Sequence, residues 1–181
     1  AMTKPEDCPP DLRGVIWNTI ARHGDAKDFD TFLKWHHQST NSELRVTLSA
    51  VLTGFEDPEL TVRALAIVKT KDVRLQDAAY WIAYAFMNRF ARDTTWQWMQ
   101  DNWDWLEANL GTDLSFSRFP IYAARVFTGD KYLKEFKAFF EPKISPTLER
   151  SIKQGIEIIQ WHTAWYNRDH DSVLKFFKSQ E

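Results

Sequence analysis

One cysteine among 181 residues excludes a disulfide framework and a cysteine-based zinc site. That residue, Cys8, stands in a proline-rich opening stretch. Glycine is also scarce, with six in all. They form neither a Gly-rich phosphate loop nor a Gly-x-Ser-x-Gly nucleophile elbow, and they read as helix ends. Charge of one sign is nowhere concentrated. The 23 Lys and Arg and 25 Asp and Glu leave a net charge of −2, so the dense cationic surface that nucleic acid requires is missing. No apolar run approaches the length of a membrane span. No Asn-x-Ser/Thr sequon occurs. The expectation is a soluble, cytoplasmic protein with no nucleic-acid or membrane partner.

Aromatic carbon is abundant, at 15% of residues with nine tryptophans. The stretch from Arg92 to Gly111 organises it. Trp96, Met99, Trp103, Leu106 and Leu110 recur at steps of three and four, which is one stripe of an α-helix. Trp98 and Trp105 widen that stripe, while Asp93, Asp101, Asp104 and Glu107 fall off it. Thr94 or Asp93 is the expected cap and Gly111 the expected left-handed stop. Three large aromatics on one face need partners on both sides, so this reads as an inner helix of an all-helical stack.

The same periodicity predicts helices through most of the chain. Leu12, Val15, Ile16 and Ile20 form a face ended by His23-Gly24. Asp25 caps a helix carrying Phe29, Phe32 and Leu33, a face that His36 can extend. Thr40 and Glu43 have capping-box spacing, and Asp57-Pro58 is an N-cap followed by proline at the first helical position. An apolar helix follows Val73-Arg74-Leu75-Gln76-Asp77, and a shorter one is expected over Phe116–Phe127. Asp130 starts another. Ser145-Pro146 is expected to open the longest, striped by Leu148, Ile152, Ile156, Ile159, Thr163 and Tyr166. Asp171 or Ser172 begins a last short helix. No convincing strand is found. Short loops between helices of three to five turns fit a bundle or a HEAT/armadillo-like α-solenoid of stacked antiparallel helix pairs, and the density of wide apolar stripes favours the solenoid.

Catalytic patterns are sparse. His36-His37 lacks a second histidine one turn on, and His162 and His170 lack a third ligand, so all five histidines read as structural or solvated. Asp101, Asp104 and Glu107 sit on a solvated face. The Trp-x-Trp pairs have the composition of a stacking platform for bases or sugars, but their helical spacing favours core packing. No catalytic residue and no metal ligand is assigned.

Several motifs nevertheless run in one order. Val73-Arg74-Leu75-Gln76-Asp77 resembles the V-R-x-Q-D element in the C-terminal helical domain of M1-family zinc aminopeptidases, the aminopeptidase N group. Asn88, Arg92, Thr95-Trp96 and Asn102-Trp103-x-x-Leu106 are similar to that family's N-x-x-x-R-x-x-x-W…N-W-x-x-L pattern. Phe127-Thr128, Leu133, Phe139-Phe140, and Gln154-x-x-Glu157-x-Ile159…Trp165 resemble its closing segments, and Leu12-Arg13…Ala21-Arg22-x-Gly24-Asp25 its earlier one. Order and spacing agree from about residue 11 to about residue 178.

The resemblance implies an α-solenoid that closes over a thermolysin-like catalytic domain and walls a peptide chamber. It also implies an active site elsewhere: the family's zinc ligands, Gly-x-Met-Glu-Asn loop and catalytic tyrosine have no counterpart here. Residues 1–10 are then a tail or linker with a cloning remnant, Ala1-Met2, and residues 11–181 the later part of the helical domain. Zinc belongs to the parent protein, with no cofactor in this chain. The partners are the parent's catalytic domain and a peptide substrate. The substrate-facing residues would be Arg74, Gln76, Asp77 and Arg92, of which Arg74 or Arg92 would steady a peptide's carboxylate or carbonyls. On the bland reading, Asp77 or Gln76 caps a helix and Arg74 pairs with a carboxylate. A helical face near Leu12 would be left open to solvent. The other function consistent with the residues is a free-standing helical-repeat scaffold binding a protein or peptide.

Overall fold

The computed structural model describes residues 3–180, so Ala1-Met2 lies outside the described residues. Every regular element is helical, and no strand occurs among the described residues. The chain divides into two compact units, one ending at Gly111 and the other beginning at Thr112.

The first unit holds α1 (Pro10–His23), α2 (Ala26–Gln38), α3 (Ser42–Leu52), α4 (Pro58–Ile67), α5 (Leu75–Met87), α6 (Arg92–Asp101) and α7 (Trp103–Leu110). A short 3-10 turn, Pro5–Asp7, precedes them. Two of the predicted caps are made. Asp25 accepts from the backbone N–H of Lys27 and Asp28, and Asp28 accepts in return from the N–H of Asp25. Asp57 accepts from the N–H of Glu59, with Pro58 in the first turn. The Thr40/Glu43 box is not formed. Asn41 caps α3 through the N–H of Leu44 at 3.0 Å, which places Glu43 in the first turn one residue early for the reciprocal bond.

The tryptophan stripe is buried as predicted at Trp96, Met99, Trp103, Leu106 and Leu110, but not on one helix. Asn102 divides it. Its side-chain amide donates to the Trp98 carbonyl at 2.7 Å, and its Oδ1 accepts from Lys69 Nζ at 2.8 Å. A side chain that binds the local backbone competes with the regular helix ladder and bends it. Neither Thr94 nor Asp93 caps α6, whose N-cap is Ala91. Gly111 has φ −57°, so it is not the left-handed stop expected.

On α1 the buried side chains are Trp17 and Ala21, while Leu12 and Val15 are 49% and 71% exposed. Trp17 packs against Phe32 and Trp35 of α2 with ring centroids 6.0 and 5.6 Å away. One large indole outweighs the aliphatic alternative in apolar area removed from water. α3 packs on α1, α2 and α5, and α4 on α5 and α6.

The second unit holds a 3-10 turn (Phe116–Arg118), α8 (Phe119–Ala124), α9 (Asp130–Phe140) and α10 (Glu149–Lys178). The expected helix over Phe116–Phe127 is therefore a turn and a six-residue helix. α10 starts after Leu148: Ser145-Pro146 forms a preceding turn in which the Ser145 carbonyl accepts from Leu148 and Glu149. α10 continues unbroken through Asp171 and Ser172, with no separate last helix. Its first half buries Ile152, Gly155 and Ile159 against α8 and α9. A Cβ on Gly155 would meet Phe136 Cζ at 2.5 Å, so this glycine serves close helix packing within α10 and not a helix end. Further along α10, Trp161, Trp165, Phe176 and Phe177 are exposed.

Candidate functional site

The predicted residues fall in two places. Arg74 precedes α5, and Gln76 and Asp77 lie in its first turn. These three line a shallow cleft of about 500 Å³ with Ser42, Thr47 and Tyr80. Asp77 is buried, and Arg74 Nε donates to its Oδ2 at 2.6 Å. Arg74 also donates to the Ser42 hydroxyl on α3 at 3.1 Å. Its guanidinium thus ties the start of α5 to the start of α3. Gln76 is exposed.

His36, one of the histidines read from the sequence as structural or solvated, is buried and feels the charge of Asp77. His36 is 2% exposed and meets the Trp81 ring edge-on, with centroids 5.2 Å apart. Burial, reinforced by the charges of Arg45 and His37, pushes its pKa down to about 4. The ring is therefore neutral at physiological pH. Its Nδ1 has no hydrogen-bond partner among the described residues.

Arg92 belongs to a second cleft, of about 510 Å³, where α1, the end of α3 and the α5–α6 connection meet. Its neighbours include Arg22, Tyr84, Arg89 and Phe90. The Arg92 side chain is partly buried, and its Nε is buried without a hydrogen-bond partner among the described residues. Arg89 lays its guanidinium 4.6 Å from the centre of the Phe90 ring. Burial and the neighbouring Tyr80 raise the Tyr84 pKa, keeping the phenol protonated.

Asn88 fixes the connection that carries these arginines. It is buried, and its amide donates to the carbonyls of Thr53 and Phe55 at 2.9 and 2.7 Å. Its Oδ1 accepts from the Phe90 N–H at 3.1 Å. Arg22 and Arg89 were not predicted as site residues. The available signal was a pair of arginines, at 89 and 92, in one interhelical junction.

The histidines do not converge. His162 Nδ1 is 3.2 Å from the Phe127 carbonyl, His170 is 2.9 Å from Asp171, and His37 is 3.7 Å from Asp72. A zinc ion needs at least three such donors around one point. Among the described residues no group of His, Cys, Asp and Glu meets that need. The residues present do not fit a zinc ion, and no chemical step through one is assigned to this chain.

Residues 2–160 match the model of the family described as ERAP1-like C-terminal domain. The chain is similar to aminopeptidase N of Lactobacillus helveticus, with 30% identity over 161 residues, 88% of this chain and 19% of the relative. It is 33% identical over 174 residues to aminopeptidase N of Lactococcus lactis subsp. lactis, 94% of this chain and 20% of the relative. The mitochondrial aminopeptidase 2 of Saccharomyces cerevisiae is 26% identical over 174 residues, 96% of this chain and 18% of the relative. The chain thus spans about a fifth of the length of these relatives.

Proposed function

The chain belongs to the ERAP1-like C-terminal domain family, and from that premise we propose that it is the non-catalytic helical domain of a longer zinc aminopeptidase. In this reading its helices stack in solenoid fashion, it walls the chamber that receives peptides, and it takes part in closing the enzyme around them. Its partners are the catalytic domain of the same parent chain, which supplies zinc and the hydrolytic machinery, and the peptide substrate. The observation that carries the reading is the coverage: nearly the whole of this chain aligns with about a fifth of each aminopeptidase. The exposed Leu12 and Val15 of α1 are apolar side chains that a neighbouring domain would cover.

Peptide contact rests on Arg74 and Arg92. Arg74 is engaged with Asp77 and Ser42, whereas the Arg92 guanidinium has no hydrogen-bond or ion-pair partner among the described residues. Arg74→Gln and Arg92→Gln, each placed in the full-length enzyme, separate wall from scaffold. Arg92→Gln is expected to raise KM for longer peptides severalfold at unchanged Tm, because a charge-assisted bond to the peptide is lost. Arg74→Gln is expected to lower Tm with normal kinetics, because a buried carboxylate loses its partner. Normal peptide kinetics in both variants sinks the substrate-contact reading.

A further inference from the structure

We infer that the cleft formed by Arg22, Arg89 and Arg92 is an oxyanion site that takes a phosphate-type dianion, either inorganic phosphate or the phosphate of an organic monoester. Three arginines line one concavity of about 510 Å³, and no acidic residue is among the described residues that line it. None of the three makes an ion pair or hydrogen bond with a described residue, and the Arg92 Nε is buried in that state. A buried donor left without an acceptor is costly, and three like charges in one hollow repel one another. A bound anion relieves both.

The number of cations argues for the dianion. One guanidinium fork satisfies a carboxylate, with two parallel N–H···O bonds. Three forks match a tetrahedral group that carries nearly two negative charges and three strong acceptor oxygens. Tyr84 keeps its hydroxyl proton and adds a neutral donor, and with Phe90 and Met87 it supplies an apolar wall against which an attached organic group can lie. The Asn88 bonds hold Phe90 and its flanking arginines in register across the α5–α6 connection. The inference needs only this cleft, and it holds whether or not the chain walls a peptide chamber.

The test is isothermal titration of the purified chain with inorganic phosphate, with phenyl phosphate and with acetate, at constant ionic strength set by potassium chloride. Saturable binding of one phosphate per chain is expected. Arg92→Gln and Arg89→Gln should each weaken it about tenfold, the loss of one charge-assisted contact. Acetate should fail to displace phosphate. Tighter binding of phenyl phosphate than of inorganic phosphate assigns the site to an organic ester, and equal or weaker binding assigns it to the free ion. Absence of saturable binding overturns the inference, as does equal affinity in wild type and both variants, or acetate competing as well as phosphate. Arg89 and Arg22 are exposed, so Arg89→Gln and Arg22→Gln decide the matter if Arg92→Gln does not fold.

Discussion

Replacing Trp17 with alanine is expected to destabilise the unit that ends at Gly111 by about 4 kcal/mol, the range of large aromatic-to-alanine changes in a packed core. Trp17 has no exposed surface and is among the largest fully buried side chains. It touches Phe32 and Trp35, which themselves stand edge-on at 5.4 Å, so its removal empties the centre of an aromatic cluster joining α1 to α2. Neighbours in such a cluster relax only partly into the space left behind. Urea denaturation followed by far-UV circular dichroism checks the value. Trp17→Phe, which refills most of the cavity, should recover more than half of the loss. A loss below about 1 kcal/mol for alanine would be surface behaviour and contradicts the packing described.

The second large effect is expected at Asn88. Asn88→Ala removes one amide that serves two buried carbonyls and one backbone N–H. Leaving these groups unpaired away from water is expected to cost about 3 kcal/mol. Asn88→Asp separates hydrogen bonding from shape. It keeps the size of the side chain but turns the donor into a carboxylate oxygen facing two carbonyl oxygens, so it should be at least as destabilising as alanine. Aspartate tolerated at this position would mean that the amide does not donate to Thr53 and Phe55. The same denaturation experiment reads both variants.

The sequence carried much of the fold because most of its helices announce themselves locally. Asp25 and Asp57 sit directly before apolar periodic runs, and each makes its cap. The tryptophan stripe from Trp96 to Leu110 obeys helical spacing; Trp96, Met99, Trp103, Leu106 and Leu110 are buried, and Trp98 and Trp105, expected to widen it, are half-buried. Failures arose where two local signals compete or where a distant partner decides. On α1, Trp17 and Ala21 define one face and Leu12 and Val15 another, and spacing alone does not choose between them. The break at Asn102 depends on Lys69, 33 positions earlier in the chain. Gly155 reads as a punctuation residue until Phe136 of α9 is found against it.

The site was less legible for the same reason. Arg74, Gln76 and Asp77 are adjacent in sequence and remain together in space. Arg92 instead meets Arg22, a residue on α1, and that meeting is produced by packing of α3 against α1 and α5, which no local pattern encodes. Asn88 was visible as part of a motif, but its role in bonding Thr53 and Phe55 is tertiary.

The central claim, that the cutting chemistry resides outside this chain, is tested most directly on the purified 181-residue protein. Metal analysis after exposure to zinc, paired with an assay on alanyl and lysyl arylamides, is the measurement. No retained zinc and no hydrolysis are expected. Stoichiometric zinc with robust hydrolysis of either arylamide would place the active site within this chain and contradict the assignment.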